Sequence, residues 1–128
     1  MPTALRYLWV LPVSAPAAIL ALLARLSGGS AEWREGVLEG SGGFLTVLLA
    51  RIYPPMSIAA ITLGHVVLAQ TREELERTRA HERVHVHQYE RWGASFPLLY
   101  LGASLVALLR GGHAYNDNRF ELEACRRG

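Results

Sequence analysis

Residues 71–93 read TREELERTRAHERVHVHQYERWG, and this stretch predicts the longest helix of the chain. Thr71 and Glu74 have the spacing of a capping box, in which a hydroxyl and a carboxylate each satisfy a free backbone amide at a helix start. Gly93 is typical of the position just beyond a helix end. The pattern therefore predicts a helix from about Arg72 to Trp92.

This helix carries the segment His81-Glu82-Arg83-Val84-His85. Residues four apart lie on the same face of a helix, so the imidazoles of His81 and His85 can converge on one ion. Glu82 is rotated by about 100° from His81, close enough to reach an attacking water but poorly placed to be a third ligand. Two neutral nitrogens and one nearby carboxylate are what a zinc hydrolase needs. We therefore expect Zn²⁺ bound by His81 and His85, with Glu82 as the catalytic base.

The remaining residues of the helix indicate which side faces the protein interior. One broad face carries both histidines, and the opposite face carries charged residues and His87. A buried histidine pair without a partner is costly, whereas metal coordination satisfies both rings. The alternative is an amphipathic helix that carries these histidines on its surface by accident. The inward residues are Thr78, His81, His85, Gln88, Tyr89 and Trp92.

A catalytic zinc usually has three protein ligands, so one more must come from elsewhere. The candidates are Glu121, Glu123, His113, His65 and Cys125. In a final helix from about residue 119 to 126, Glu121 faces inward beside Cys125. Glu123 points away, with Arg119 and Arg127 as helix-spaced charge partners. His65 lies in an apolar strand, where a histidine is typically a core residue. Glu121 is therefore the expected third ligand.

Two roles near this site stay open at the level of sequence. Asn118 and Glu121 also have capping-box spacing, so Glu121 would alternatively reach back to the Asn118 amide. An electrophile for the developing oxyanion is also needed opposite the metal. Tyr115 and His113 are candidates, although each is equally well interpreted as a turn residue.

The two motifs together resemble the gluzincin metallopeptidases. The match consists of His81–His85 and, after an apolar segment, Glu121-Leu122-Glu123-Ala124, which is similar to the E-x-x-A-D motif of the membrane-associated HtpX-like and CAAX-processing branch. The resemblance covers about half of the chain, from Ile58 to the end. It implies Glu121 as the third zinc ligand and an extended substrate along a strand at Thr62–Leu68. The family's Asp is Cys125 here, so either another acceptor supports the ligand histidine or this support is weakened. Asn116 and Asp117 are nearby substitutes in sequence.

Three long uncharged runs indicate whether the protein is associated with a membrane. The first, Tyr7–Ala24, predicts a membrane helix, and we favour a retained anchor over a cleaved signal because the run exceeds the usual signal core. The second, Ile52–Gln70, contains Ile58–Ala69, which predicts a buried strand. The third, Trp92–Leu109, contains Phe96–Leu109, which predicts a helix buried in protein or lipid. We expect a membrane protein.

The Gly- and Ser-rich segment Ser27–Gly43 predicts a solvated connection. It divides an N-terminal anchor and connection, residues 1–42, from a metallopeptidase domain, residues 43–128. A short helix is expected at Phe44–Arg51. The single cysteine excludes an intramolecular disulfide framework. The net charge is +2, and every basic residue is an arginine. The sequence therefore does not indicate the large basic surface that nucleic-acid binding needs.

The sequence thus predicts a mainly α fold with a short β element, a minimal zincin-like domain with an HExxH active-site helix and an N-terminal apolar membrane helix. The expected function is zinc-dependent hydrolysis of a protein or peptide substrate at a membrane, in contact with lipid. The alternative is a non-enzymatic membrane-associated module that binds metal or a partner and keeps the same fold. These two classes differ in their need for Glu82, because a structural metal site requires no general base.

Overall fold

The structure is a computed structural model that describes residues 3–51 and 58–128. It is mainly helical, with one small sheet and an N-terminal apolar helix, which confirms these parts of the predicted fold class. A single 3₁₀ turn, Gly93–Ser95, joins the third helix to the fourth. The helices are α1 Thr3–Leu26, α2 Leu45–Arg51, α3 Arg72–Trp92, α4 Phe96–Leu109 and α5 Arg119–Arg127; the strands are β1 Ser30–Arg34, β2 Val37–Ser41, β3 Ala60–Leu63 and β4 Val66–Ala69.

The four strands form one sheet in the order β1-β2-β4-β3. Two antiparallel hairpins, β1–β2 and β3–β4, meet through a parallel pairing of β2 with β4, in which Leu38 lies beside Val66. All four residues of β4 are buried. The apolar character of this strand follows from its position, because both of its faces are covered by helices.

The prediction of a solvated connection at Ser27–Gly43 is wrong. This segment forms β1 and β2, joined by a tight turn in which Glu35 and Gly36 have φ angles of 51° and 83°. Positive φ at both central residues is the mark of a two-residue hairpin turn. The Glu-Gly pair between Trp33-Arg34 and Val37-Leu38 was the sequence signal for this hairpin. The division into residues 1–42 and 43–128 stays a prediction, although β2 pairs with β4 across it.

The prediction of a single strand at Ile58–Ala69 is also wrong in detail. Gly64 and His65 form a turn that folds the segment into the β3–β4 hairpin. Gly64 has a φ of +68°, and a Cβ there would lie 2.1 Å from the Ser14 hydroxyl oxygen. Only glycine fits this turn, because it needs both left-handed backbone and space for α1. The first part of the uncharged run, residues 52–57, lies outside the described residues.

Helices cover both faces of the sheet. Val66 and Leu68 point toward α1 and α2, where they join a core that includes Ala17, Ala21 and Leu45. Alternate residues of β4, Val67 and Ala69, point toward α3 and pack with Leu75 and Val86. The period-two alternation of a strand therefore builds two cores from one apolar segment.

The N-terminal helix lies directly on the sheet. A Cβ added to Gly40 of β2 would lie 2.9 Å from the Cβ of Ala21, so small residues allow this close contact. The buried side of α1 consists of Val10, Ser14, Ala17, Ala21 and Ala24. The opposite side exposes large apolar residues such as Leu8 and Ile19. This helix is therefore part of the domain's packing as well as an apolar surface.

The helix α4 has the same two-sided character. Phe96 and Ala107 are buried, whereas Leu98 and Leu101 are largely exposed. By length and composition, two helical segments, Thr3–Leu26 and Arg72–Leu109, could cross a membrane. The core helix of a soluble protein or a signal sequence passes the same test.

Candidate metal centre

Helices α3 and α5 bring together the three predicted ligands. Nε2 of His81 lies 3.0 Å from Oε2 of Glu121, and Nε2 of His85 lies 2.9 Å from Oε1 of the same carboxylate. The two imidazole rings are 5.0 Å apart. One donor atom from each residue lies within 4.8 Å of the other two, so this partly buried cluster could hold a metal ion.

The helix α3 begins and ends where the sequence predicts. The Thr71 hydroxyl accepts a hydrogen bond from the Glu74 amide at 3.1 Å, and Gly93 is the C-terminal cap. The carboxylate of Glu74 pairs with Arg77 rather than with the helix start. Halfway along α3, His85 and Gln88 are buried and His81 is half-buried, so the predicted inward face is confirmed for these residues. His87 is exposed, as expected.

The start of α5 fixes the position of Glu121. The side-chain oxygen of Asn118 accepts a hydrogen bond from the Phe120 amide at 2.8 Å. Its amide group donates to the Tyr100 carbonyl oxygen at 3.0 Å and to the Ser104 hydroxyl at 2.9 Å. Asn118 thus caps α5 and ties it to α4. The alternative that Glu121 completes this cap is wrong, because its carboxylate is directed toward the histidines.

The carboxylate of Glu121 is strongly stabilised as an anion. Burial raises the pKa of this carboxyl, but hydrogen bonds to His81 and His85 outweigh that effect and hold the pKa far below its usual range. The Tyr100 hydroxyl adds a third contact by donating to Oε1 at 2.9 Å. Glu121 is therefore an ionised carboxylate, as a ligand should be.

Glu82 lies beside the cluster. Its side chain is buried, and its Oε2 lies 3.9 Å from Nε2 of His81. Burial raises the pKa of Glu82 to about 7, although the neighbouring histidines oppose the shift. The Thr62 hydroxyl donates to the backbone oxygen of Glu82 at 3.2 Å and lies 3.3 Å from its Oε1. Strand β3 thus contacts the candidate base directly, and a carboxyl with a pKa near neutrality suits proton transfer.

The two candidate ligand histidines have different partners on their second ring nitrogen, Nδ1. Nδ1 of His85 lies 2.8 Å from Oε1 of Gln88, a hydrogen-bonding residue that the sequence interpretation missed. Nδ1 of His81 lies 3.9 Å from the thiol of Cys125. The suggested substitutes for the family's Asp are wrong, because the contacts of these two Nδ1 atoms are Gln88 and Cys125. The Asp117 carboxylate instead accepts from the backbone amide of His113.

Two tyrosines also reach Glu121. Tyr100 is held in α4 and contacts the carboxylate from the buried side. Tyr115, in the loop before α5, is 47% exposed. Burial and then the Glu121 charge and hydrogen bond raise the pKa of its phenol. His113 instead holds the turn, because its Nδ1 accepts from the Tyr115 and Asn116 amides at 3.1 and 3.0 Å.

His65 and Glu123, two further candidates for the third ligand, make other contacts. His65 is buried at the β3–β4 turn, where its Nε2 lies 2.9 Å from Oε2 of Glu90 and its ring stacks on Tyr7. Its expected role as a core histidine agrees with this position. Glu123 pairs with Arg127 at 3.8 Å as predicted, but it also accepts a hydrogen bond from Gln88 at 2.7 Å. The predicted pairing with Arg119 is replaced by this contact.

A buried ion cluster on the other side of α3 was not anticipated. Arg79 donates two 3.0 Å hydrogen bonds to the carboxylate of Glu39, and Arg83 donates a third at 2.9 Å. Arg83 also donates to the carbonyl oxygen of Arg34 at 2.9 Å. These contacts hold the β1–β2 hairpin against α3, on the charged face opposite the histidine pair. The motif helix is therefore held from both sides.

Comparison with known proteins gives no match: no family model, no curated protein and no solved structure matches this chain. The class of this site therefore follows from its residues alone. It is a cluster of two histidines and one carboxylate that could hold a metal ion.

Proposed function

We propose that this protein is a zinc-dependent endopeptidase that acts at a membrane, with a minimal gluzincin-like active site. The observation that carries the proposal is the convergence of His81, His85 and Glu121, with the buried carboxyl of Glu82 beside them. Two imidazoles and one carboxylate are the donor set of many catalytic zinc sites. A fourth coordination position would remain for water or substrate.

The surrounding elements support a zincin-like arrangement. Helix α3 carries the HExxH motif, α5 supplies the carboxylate, and β3 lies against α3 through Thr62. Among the described strands, β3 pairs only with β4 and is an edge of the sheet. The resemblance implied a substrate strand along Thr62–Leu68, but β4 has partners on both sides. We therefore assign substrate pairing to β3 alone, by addition of an extended peptide to the sheet edge.

The residues divide the chemistry of peptide hydrolysis between them. Zinc held by His81, His85 and Glu121 would polarise the scissile carbonyl and make water more acidic. Glu82 accepts a proton from the water whose oxygen bonds to the carbonyl carbon. It then donates that proton to the amine nitrogen as the C–N bond breaks. Burial raises the pKa of Glu82, which favours the protonated form that the second step needs.

Tyr115 is the better candidate for the electrophile. Its hydroxyl lies near the Glu121 carboxylate, and its exposure leaves it accessible to a substrate. A phenol with a raised pKa remains protonated and can donate a hydrogen bond to the developing oxyanion. His113 is less suited, because its Nδ1 is already engaged by two backbone amides.

The membrane part of the proposal rests on the outer sides of α1 and α4. Leucines are exposed on both helices, including Leu8 and Leu22 on α1 and Leu98 and Leu109 on α4. Because α1 lies on the sheet, its full insertion would carry strand edges into hydrocarbon, where free backbone groups are very costly. Contact through the outward apolar sides avoids that cost and leaves the metal centre close to lipid, since Tyr100 of α4 contacts Glu121.

The test is hydrolysis of a generic unfolded protein by the wild type and by Glu82→Gln. The glutamine keeps size and hydrogen-bonding shape but cannot accept the proton. We expect hydrolysis to fall by about two to four orders of magnitude while zinc content and fold are retained. Full proteolysis by Glu82→Gln would exclude this mechanism. Zinc binding with no proteolysis by the wild type would favour the non-enzymatic metal-binding module.

A further inference from the structure

Gln88 connects the candidate ligands on both helices. It follows His85 by three positions in α3 and is buried. Its side-chain Oε1 lies 2.8 Å from Nδ1 of His85. Its Nε2 lies 3.0 Å from the carbonyl oxygen of Phe120 and 2.7 Å from Oε1 of Glu123. One amide group therefore contacts a metal-ligand candidate and the first turn of α5.

These contacts determine the orientation of the amide. The Phe120 carbonyl oxygen has no hydrogen to donate, so the atom facing it must be the amide nitrogen. The same NH₂ group has a second hydrogen for the Glu123 carboxylate. The amide oxygen must then face His85. Because an amide oxygen only accepts hydrogen bonds, Nδ1 of His85 must carry the proton.

This proton position has a consequence at the metal centre. With Nδ1 protonated, Nε2 of the neutral ring carries the lone pair, and this atom lies 2.9 Å from Oε1 of Glu121. Two acceptors at that distance repel each other unless a proton or a metal cation lies between them. The ring is thus oriented with its free electron pair toward the ligand carboxylate.

We propose that Gln88 is a positioning residue that sets the tautomer of His85 and ties the α3 ligand pair to the helix carrying Glu121. As a role in metal binding, this inference rests on the proposed function. The contact to Phe120 is the more direct tether, because Phe120 is the immediate neighbour of Glu121 in the chain. Glu123 orients the amide by accepting its second hydrogen. Hydrogen-bond partners of ligand histidines typically change metal affinity by about 10- to 100-fold.

The first measurement is the tautomer of His85 in the full-length, zinc-free protein, by ¹⁵N–¹H correlation of the imidazoles. Burial lowers the pKa of His85, but the contact with Glu121 outweighs this and raises it above the ordinary value, so the pH is increased until the His85 signals themselves report a neutral ring. Because the chain has 5 histidines, each signal can be assigned by replacing one at a time. We expect a proton on Nδ1 in the wild type and a shift to the Nε2–H form in Gln88→Leu, because Glu121 is then the remaining acceptor for the ring.

The second measurement is zinc affinity by competition with a chelator, for Gln88→Leu and for a matched control. Gln70→Leu is that control, since Gln70 also donates a 2.8 Å hydrogen bond to a carbonyl oxygen, that of Ile58, but lies away from the cluster. We expect Gln88→Leu to weaken zinc binding about 10- to 100-fold and Gln70→Leu to leave it unchanged.

A double variant keeps the test valid if Gln88→Leu fails to fold. Gln88→Glu combined with Glu123→Gln exchanges acceptor and donor, so that a carboxylate still accepts from Nδ1 of His85. We expect this pair to keep the Nδ1–H form but to lose the tether to α5, because no hydrogen is then left for the Phe120 carbonyl oxygen.

The outcomes separate the two proposals. An Nε2–H tautomer in the wild type, or equal zinc affinity of Gln88→Leu and Gln70→Leu, overturns the role of Gln88. The expected tautomers in a wild-type protein that binds no zinc would support the role of Gln88 and refute the proposed function.

Discussion

The Nε2 atom of His85 lies 2.9 Å from Oε1 of Glu121, although the whole of helix α4 separates the two residues in the chain. The HExxH motif accounts for only the α3 half of this pair. The other half depends on Asn118, which caps α5 and binds α4 so that the first turn of α5 faces the histidines.

The first prediction is a stoichiometry of about one zinc per chain. His81→Ala and His85→Ala should each lose it, because two remaining ligands rarely retain the ion against competition. Metal analysis of purified, metal-replete protein measures this directly. His87→Ala is the matched control, since His87 is exposed and points away from the cluster. A wild-type content below about a tenth of an equivalent would refute the site.

Glu121→Gln should weaken zinc binding strongly, because a neutral amide is a poor replacement for an ionised carboxylate ligand. Glu123→Gln should do little. Its amide oxygen can still accept the hydrogen bond from Gln88, and Glu123 does not contact either histidine. Chelator competition compares the two variants. The reverse result, with zinc lost from Glu123→Gln alone, would show that the third ligand has been assigned to the wrong residue.

Tyr115→Phe should lower kcat by on the order of 100-fold with little change in KM, since a single oxyanion donor typically contributes this much. Zinc content should be unchanged. Tyr100→Phe is an instructive contrast, because its hydroxyl holds the buried side of Glu121 and its loss should reduce zinc affinity first. Steady-state kinetics on one peptide substrate distinguish the two effects. Unchanged kcat in Tyr115→Phe would exclude it as the electrophile.

Ala21→Leu should destabilise the protein by about 1–3 kcal/mol, because Ala21 is fully buried against Gly40 and a larger side chain overpacks this contact. Leu22→Ala, one position along the same helix, should change stability by less than about 0.5 kcal/mol, since Leu22 is exposed. Denaturant unfolding of the detergent-solubilised full chain measures both. Equal stability of the two variants would mean that α1 is a removable anchor and not part of the domain.

Local signals were sufficient to predict individual helices. Thr71 and Gly93 mark the ends of α3 because capping depends on residues within one turn. The uncharged run that ends at Leu109 likewise predicted α4. The spacing of His81 and His85 needs only helical geometry, and the inward position of Glu121 follows from the same periodicity. Cys125, which the sequence placed beside Glu121, is exposed in the structure.

The hairpins were missed because their signals are short and context-dependent. A Gly-rich segment predicts a loop unless its strands have further partners, and the second partner of β2 is β4, far along the chain. Gly64 could have indicated a turn, but the apolar run on both sides favours an unbroken strand. The sheet exists because α1 and α3 cover its two faces, a condition that no local pattern records.

By itself, the sequence determined the motif helix, its histidine pair, the candidate base Glu82 and the inward carboxylate Glu121. Periodicity and capping act over a few residues, so they can be recognised without a fold. Only the tertiary structure decided that Gln88 supports His85, that Asn118 rather than Glu121 caps α5, and that Arg79 and Arg83 clamp Glu39. These contacts join residues far apart in sequence, and their geometry depends on how the helices pack against one another and the sheet.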